Sequence, residues 1–301
     1  METHKMSQET QDSKKKKCTF LTLTNDGYID YTLNCLQSLK KIGCSEPLVC
    51  YTIGDLAFQA LHNAKANVVA LHNENKKNAE FQVFRTEHWA DVVSRKFEII
   101  YQNLLLAEFV CFTDGDIVYE KNGFLEFCLA HIKNNDMLIQ NDSMSDLSSA
   151  NLCSGFMFIK SNPVTLKIFH PVNVKSLIKE GWGDQLYINS IKQSLKFQTL
   201  PLALFPNGKY FYAHAATIRP FLIHFNWVQG HVKKQKMQFY NKWFPEVFTN
   251  AKGPPANGSH SGLPAAKLWG VRGKASVTNS TLAPMSILVK PFKIMKINRV
   301  S

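Results

Sequence analysis

Two aspartates separated by one glycine, Asp114 and Asp116, are the first candidates for chemistry in this 301-residue chain. Their carboxylates repel each other at short range, and a divalent cation between them removes that cost. Hard oxygen ligands suit Mg²⁺ or Mn²⁺, which proteins hold with one or two carboxylates, with waters and with substrate phosphates. Because Asp-Gly is also a common turn dipeptide, the motif alone fits a metal site and a simple turn equally well.

A histidine further along the chain favours the metal interpretation. His224 follows the apolar residues Phe221, Leu222 and Ile223, a predicted strand that would present the imidazole at the carboxyl end of a sheet. An imidazole beside two carboxylates is a ligand set typical of Mn²⁺. The alternative is a histidine hydrogen-bonded within the core, and we would prefer it if the segment stood alone.

The segment that begins at His224 reads HFNWVQGHVKK and predicts a phosphate-binding helix start. Gly230 precedes the helical pattern, and the two lysines Lys233 and Lys234 follow it closely. Backbone N–H groups at a helix start, together with a lysine ammonium, suit a diphosphate that must be stabilised as it leaves. The spacing does not decide between the two lysines.

The elements that must position these residues alternate along the chain. Hydrophobic periodicity and turn residues predict the following strands: Thr19 to Thr24, Leu48 to Ile53, Asn67 to Leu71, Phe109 to Thr113, Gly155 to Ile159, Phe197 to Leu200 and Phe221 to Phe225. The predicted helices are Ile29 to Ile42, Leu56 to Ala64, Trp89 to Leu106, Asp184 to Ser194 and Val232 to Trp243. The pattern predicts an α/β fold with an open, largely parallel sheet that binds its ligand at the carboxyl ends of the strands.

The formal net charge of +12 belongs mainly to the two ends of the chain. Residues 251–301 carry eight Lys or Arg and no acid, and residues 1–17 carry five lysines against three acids, which leaves residues 18–250 at only +2. A near-neutral body argues against nucleic acid as the partner. We predict a disordered basic leader over 1–17, one domain over 18–250 and a basic Gly/Pro-containing extension over 251–301.

The seven cysteines are odd in number and irregularly spaced, so we predict free thiols instead of disulfides and favour a reducing compartment. The sequence shows neither a signal peptide nor an uninterrupted apolar run long enough to be a transmembrane segment. We therefore expect a cytoplasmic location. A Golgi location would require an N-terminal anchor that is missing from this chain.

Four motifs, taken in order, resemble a known family. They are the apolar strand with Asp114-Gly115-Asp116, then NLCSGFMF at 151–158, GWGDQLYIN at 181–189 and HFNWxxGxxKK at 224–234. Over about Thr19 to Gln238 the chain resembles the nucleotide-diphospho-sugar transferases, which include plant cell-wall arabinosyl- and xylosyltransferases of glycosyltransferase family 77. The resemblance implies a GT-A fold with a single Rossmann-like open mixed sheet flanked by helices. It also implies Mn²⁺ or Mg²⁺, a UDP-sugar donor carrying a pentose or hexose, a carbohydrate or glycoprotein acceptor and retention of the anomeric configuration.

The resemblance also implies roles for individual residues. Asp114, Asp116 and His224 would hold the metal, with Asp116 the stronger carboxylate ligand. Thr22, Thr24 and Asn25 would line the pocket of the nucleotide base. The other donor-binding residues would be Lys96, Asp114, Ser154, Gly155, Asn226, Gly230, Lys233 and Lys234. The spacing from His224 to Gly230 is longer than in the related glycogenin-like enzymes, so the choice of lysine stays open.

Asp184 and Gln185 are the pair that we place near the anomeric carbon of the transferred sugar. The reaction passes through an oxocarbenium-like state, which a nearby carboxylate or amide oxygen stabilises. Asp184 also follows Gly183 at the start of a predicted helix, where it would serve as an N-cap. The two roles are compatible.

Two other functions compete with the transferase. A phosphatase of the haloacid-dehalogenase type would use Asp114 as its nucleophile, but it needs that motif near the start of its domain, whereas a βαβαβ unit precedes it in this chain. A non-enzymatic polyanion-binding protein would act through the basic ends, and the near-neutral body disfavours it.

Overall fold

Strands and helices alternate in the first half of the chain. The computed structural model describes residues 16–71, 87–147, 151–178 and 183–244. The first elements are β1 (Lys16–Asn25), α1 (Ile29–Lys41), β2 (Leu48–Ile53), α2 (Asp55–Asn63), β3 (Asn67–Ala70), α3 (Glu87–Leu106) and β4 (Ala107–Thr113).

The second half adds shorter elements. They are β5 (Ile117–Tyr119), α4 (Phe124–His131), β6 (Met137–Asn141), β7 (Leu152–Lys160), α5 (Pro163–Phe169), α6 (Pro171–Ile178), α7 (Asp184–Ile191), β8 (Phe197–Leu200), α8 (Gly208–His214), β9 (Leu222–His224) and α9 (Gly230–Phe239).

Seven of the strands form one sheet in the order β3-β2-β1-β4-β7-β6-β8, and β5 pairs with β9 in a separate two-stranded ribbon. β1 is parallel to both β2 and β4, whereas β7 is antiparallel to β4 and β6. The predicted open mixed sheet flanked by helices is therefore confirmed. After β1 the chain continues to β2 on one side of β1, and it later returns to form β4 on the other side. The carboxyl ends of β1 and β4 therefore border the crevice where such sheets bind ligands.

The central strand β4 is buried on both faces because helices cover both sides of the sheet. Cys111 packs with Phe20 and α1 residues on one face, whereas its neighbours Val110 and Phe112 pack with α3 residues on the other. Successive side chains of a strand point to opposite faces, which explains why this segment is apolar without alternation.

Most predicted bounds agree with the structure to within a few residues, and β2 and β8 agree at both ends. Lys16 and Lys17, which we assigned to the disordered leader, instead belong to β1, where Lys16 pairs with Ala107 of β4. The helix predicted from Asp184 to Ser194 ends at Ile191 and finishes as a 3-10 turn. Residues 1–15 and the extension 251–301 lie outside the described residues.

All seven cysteines lie within the described ranges and are free thiols, five of them buried, which confirms the predicted absence of disulfides. Burial raises the pKa of the Cys50 thiol to about 12, so this thiol stays protonated at neutral pH. Among the described helices, none combines the length and the apolar character that crossing a membrane requires.

Candidate functional site

The two aspartates and the histidine meet because β5 and β9 pair with each other. β4 ends immediately before Asp114, and the chain turns into β5, where Ile117 lies opposite His224 at the end of β9. The backbone N–H of Phe225 donates to the carbonyl of Asp116 over 3.2 Å and extends this pairing. The short ribbon thus sets the imidazole beside two carboxylates that arrive from the centre of the main sheet.

Asp114, Asp116 and His224 form a compact set of possible metal ligands. One ligand atom from each lies within 4.8 Å of the other two. His224 Nε2 is 3.3 Å from Asp116 Oδ1 and 3.9 Å from Asp114 Oδ2. Two carboxylate oxygens and one imidazole nitrogen suit Mn²⁺ and accept Mg²⁺, so the predicted ligand set is brought together.

Gln140 fixes the orientation of His224. The Gln140 amide nitrogen donates to the carbonyls of Phe205 and Pro206, at 3.1 and 2.9 Å, which leaves its oxygen directed at the ring. His224 Nδ1 lies 2.8 Å from that oxygen and must donate to it. The Nε2 atom therefore faces the two aspartates, which is the arrangement that a ligating histidine needs.

Two glycines allow neighbouring side chains to pack closely at the site. A Cβ atom on Gly155 would lie 2.1 Å from His224 Cε1, and one on Gly115 would lie 2.6 Å from the Thr32 hydroxyl. Both distances are too short for any side chain. Gly155, one of the predicted donor-binding residues, is thus the residue against which the His224 imidazole packs.

Lys233 neutralises Asp116. Its ammonium forms a short ion pair with Asp116 Oδ2 and donates to the Tyr28 hydroxyl over 2.7 Å, and that hydroxyl in turn donates to Asp116 over 3.2 Å. Burial works to raise the pKa of Asp116, but Lys233 and His224 outweigh burial and hold that pKa well below its usual range. Asp116 is therefore an anion with the Lys233 ammonium beside it.

Asp116 also affects the protonation of the His224 imidazole. Burial opposes a charge on His224, yet Asp116 outweighs burial and raises the pKa of His224 well above its ordinary value. A metal ion needs the neutral ring, so an ion that enters here must displace a proton from His224.

Lys96 joins the aspartate motif to the second predicted pair. Its ammonium lies 2.9 Å from Asp114 Oδ1 and forms a short ion pair with Asp184, which also accepts a hydrogen bond of 2.8 Å from the Ser154 hydroxyl. Although burial works to raise the pKa of Asp184, Lys96 and Ser154 lower it. The predicted N-cap role is wrong, because Gly183 caps α7 and Asp184 is its first residue.

A further buried carboxylate, Asp142, binds the side chains around Gln185 and Trp227. Its Oδ2 accepts hydrogen bonds from the side-chain amides of Gln185 and Asn151, at 2.9 and 3.0 Å. Its Oδ1 accepts them from Asn226 and from the indole of Trp227, at 3.0 and 2.9 Å. We did not predict Asp142 or Gln140; the available signal was a polar residue at the end of a short apolar segment, Met137–Ile139.

The structure separates the two candidate lysines. Lys233 is buried beside Asp116, whereas Lys234 is 43% exposed and lies 3.9 Å from the carboxylate of Asp30 on α1. Gly230 begins α9 with a positive φ of 52°, and its carbonyl accepts a hydrogen bond of 2.9 Å from Tyr31. The helix thus starts two residues earlier than predicted.

Thr22 and Thr24, predicted to line the base pocket, are buried between β1 and α1 instead of facing an open surface. Thr24 accepts a hydrogen bond of 2.8 Å from Thr32 of α1. Within the part of the chain that the structure describes, the Thr22 hydroxyl has no hydrogen-bond partner. Asn25 is also buried but lies at the carboxyl end of β1, at the crevice.

Comparison with known proteins agrees with this geometry. A family model described as nucleotide-diphospho-sugar transferase matches residues 46–239, more than half of the chain. The chain is 24% identical, over 283 residues, to the UDP-galactose:fucoside alpha-3-galactosyltransferase of Dictyostelium discoideum. That alignment covers 76% of this chain and only 43% of the relative.

Two solved structures share the fold. The galactosyltransferase LgtC, crystallised with donor and acceptor sugar analogues, superposes with a TM-score of 0.52 at 10% identity, covering 78% of this chain and all of that one. The bifunctional glycosyltransferase WbbM gives 0.51 at 15% identity, covering 79% of this chain and 50% of the other. At such low identity these structures establish the GT-A fold alone.

The close packing of Gly155 against His224 gives a test of the metal site. Gly155→Ala should weaken Mn²⁺ binding by about 10- to 100-fold, because the added methyl group displaces the imidazole. Electron paramagnetic resonance of free Mn²⁺ measures the affinity. Ser190→Ala, which introduces alanine at an exposed position of α7 whose hydroxyl bonds only the Tyr187 carbonyl among the described contacts, is the control. Equal Mn²⁺ affinities for wild type and Gly155→Ala would contradict the assignment of His224 as a ligand.

Proposed function

The chain belongs to the nucleotide-diphospho-sugar transferase family, a family of glycosyltransferases, and we propose that it transfers a sugar from a nucleotide diphosphate to a hydroxyl acceptor with a divalent cation. The observation that carries this proposal is the convergence of Asp114, Asp116, His224 and Lys233 at one edge of the sheet. Two acids and an imidazole suit the cation, and the lysine suits the diphosphate.

Asp114, Asp116 and His224 would hold Mn²⁺ or Mg²⁺, and the cation would neutralise charge on the diphosphate of the donor. Lys233 contributes a second positive charge from the first turn of α9. Because it is buried, that charge acts at lower dielectric than a surface lysine would and stabilises a leaving diphosphate more strongly.

Gln185 is the better placed of the two residues predicted at the reacting carbon. Its amide nitrogen is bound by Asp142 and lies 3.4 Å from the Asn151 side-chain oxygen, so its carbonyl oxygen is the group left to stabilise an oxocarbenium-like centre. Asp184 forms an ion pair with Lys96 and accepts a hydrogen bond from Ser154, and we propose that it positions Lys96. In the transfer, the acceptor oxygen bonds to the anomeric carbon as the bond from that carbon to the diphosphate oxygen breaks, and the acceptor proton leaves with the diphosphate.

The donor and acceptor are proposed by similarity. The Dictyostelium relative is named for UDP-galactose and a fucoside, so a UDP-hexose is the first donor to test. A UDP-pentose and membership of the arabinosyl- and xylosyltransferase branch stay predictions, as does retention of configuration.

The free thiols support a cytoplasmic location. Family membership favours the transferase over a phosphatase with Asp114 as nucleophile, which would form a phosphoenzyme.

The proposal predicts metal-dependent donor hydrolysis. The full chain with Mn²⁺ should release UDP from at least one member of a panel of UDP-galactose, UDP-glucose, UDP-xylose and UDP-arabinose, and Asp116→Ala should lower that rate by at least about 10²-fold. Ultraviolet chromatography of released UDP is the measurement, and proton NMR of the first transfer product reports retention or inversion. Absence of metal-dependent turnover and of metal-dependent binding for every donor would overturn the proposed function.

The neighbouring lysines provide a matched comparison. Lys233→Met should lower kcat/KM for the donor by about 10²-fold or more, because it removes a buried charge that stabilises the leaving group. Lys234→Met, at the exposed neighbouring position, should change kcat/KM by no more than about threefold. Steady-state hydrolysis of the donor identified in the panel measures both. Equal effects at the two positions would show that α9 presents its lysines to the donor differently from this arrangement.

A further inference from the structure

Trp227 is an exposed aromatic residue held in an unfavourable backbone conformation. It is 54% exposed and has a φ of 65°, in the left-handed region that bulky residues rarely adopt. Such a conformation costs free energy and persists only where surrounding contacts hold it, and it is found most often at functional sites. A large apolar ring that is kept open to solvent at this cost needs a reason.

The ring is fixed in place although it is exposed. Its Nε1 atom donates to Asp142 Oδ1 over 2.9 Å, and the Lys209 ammonium lies 5.3 Å from the ring centroid. Asp142 is itself buried and is held by Asn226 and Asn151. The indole is therefore a rigid surface, which loses little conformational entropy when a ligand covers it.

Asp142 also connects this surface to the reacting centre. One of its carboxylate oxygens accepts a hydrogen bond from Trp227, and the other accepts one from Gln185. The indole and the Gln185 amide are therefore separated by a single carboxylate group. The nucleotide is expected near the end of β1, where Asn25 lies, on the side of Lys233 and Tyr28. Trp227 thus borders the end of the site where the sugar reacts.

We propose that Trp227 is the floor of the acceptor site and that a saccharide acceptor stacks the C–H face of one sugar ring on its indole. This inference rests on the proposed function, because it places the acceptor beside the residue that we assign to the reacting carbon. A rigid indole offers a flat apolar surface and a negative π-face, to which the weakly positive C–H groups of a sugar are complementary. The hydroxyl groups at the rim of the sugar remain free, and one of them is the nucleophile.

The test separates acceptor binding from donor chemistry. Transfer from the donor found by hydrolysis is measured to methyl α-L-fucoside, methyl β-galactoside and methyl β-lactoside, alongside donor hydrolysis without acceptor. Trp227→Ala should raise the acceptor KM by about five- to tenfold, and Trp227→Phe should restore most of the affinity. Hydrolysis without acceptor should fall much less than transfer does. Phe239→Ala removes another exposed aromatic ring, 76% exposed on α9, and should change neither quantity.

Three results would overturn the inference while leaving the proposed function intact. The first is an unchanged acceptor KM in Trp227→Ala. The second is an equal loss of hydrolysis and transfer in that variant, which would make Trp227 a structural residue of the site. The third is wild-type hydrolysis that none of the three saccharides converts into transfer. A wild-type chain that hydrolyses no donor fails at the earlier step and overturns the proposed function itself.

Discussion

Three carboxylates at one edge of a sheet must be neutralised, and the arrangement of the site depends on this constraint. Lys96 is shared by Asp114 and Asp184, and Lys233 is paired with Asp116. Each ion pair depends on the position of one helix, because α3 carries Lys96 and α9 carries Lys233. A divalent cation that binds Asp116 competes with Lys233 for the same carboxylate. The displaced ammonium is then available to a diphosphate, so metal and donor are expected to favour each other's binding.

The polar side chains around these charges are fixed by buried hydrogen bonds. Gln140 can present only its oxygen to His224, because two backbone carbonyls occupy its nitrogen. In the same way Asp142 accepts a hydrogen bond from the side-chain nitrogen of Gln185 and fixes the orientation of that amide. Buried amides and carboxylates whose partners are satisfied hold one geometry, and such preorganisation lowers the cost of reaching a charged transition state.

The sequence was informative where strand ends or motifs carried the signal. Asp114, Asp116 and His224 follow apolar segments, and the rule that ligands bind at carboxyl strand ends brought them together. The choice between Lys233 and Lys234 depended on which side of α9 faces the aspartates, and adjacent helical residues differ by about 100° in direction. Thr22 and Thr24 lie on the face of β1 that α1 covers, which alternation along a strand does not reveal, and their role at the base pocket stays a prediction. Gln140 and Asp142 had no motif, and their roles arise only from long-range contacts.

The central claim is that Asp114, Asp116 and His224 form one cation site that is coupled to a nucleotide diphosphate. Its most direct test is Mn²⁺ affinity, measured by electron paramagnetic resonance in the presence and absence of UDP, for wild type and His224→Ala. We predict that UDP strengthens Mn²⁺ binding to wild type by about tenfold or more, and that His224→Ala weakens binding in both conditions. An Mn²⁺ affinity that is unchanged by UDP and by loss of the imidazole would contradict the account.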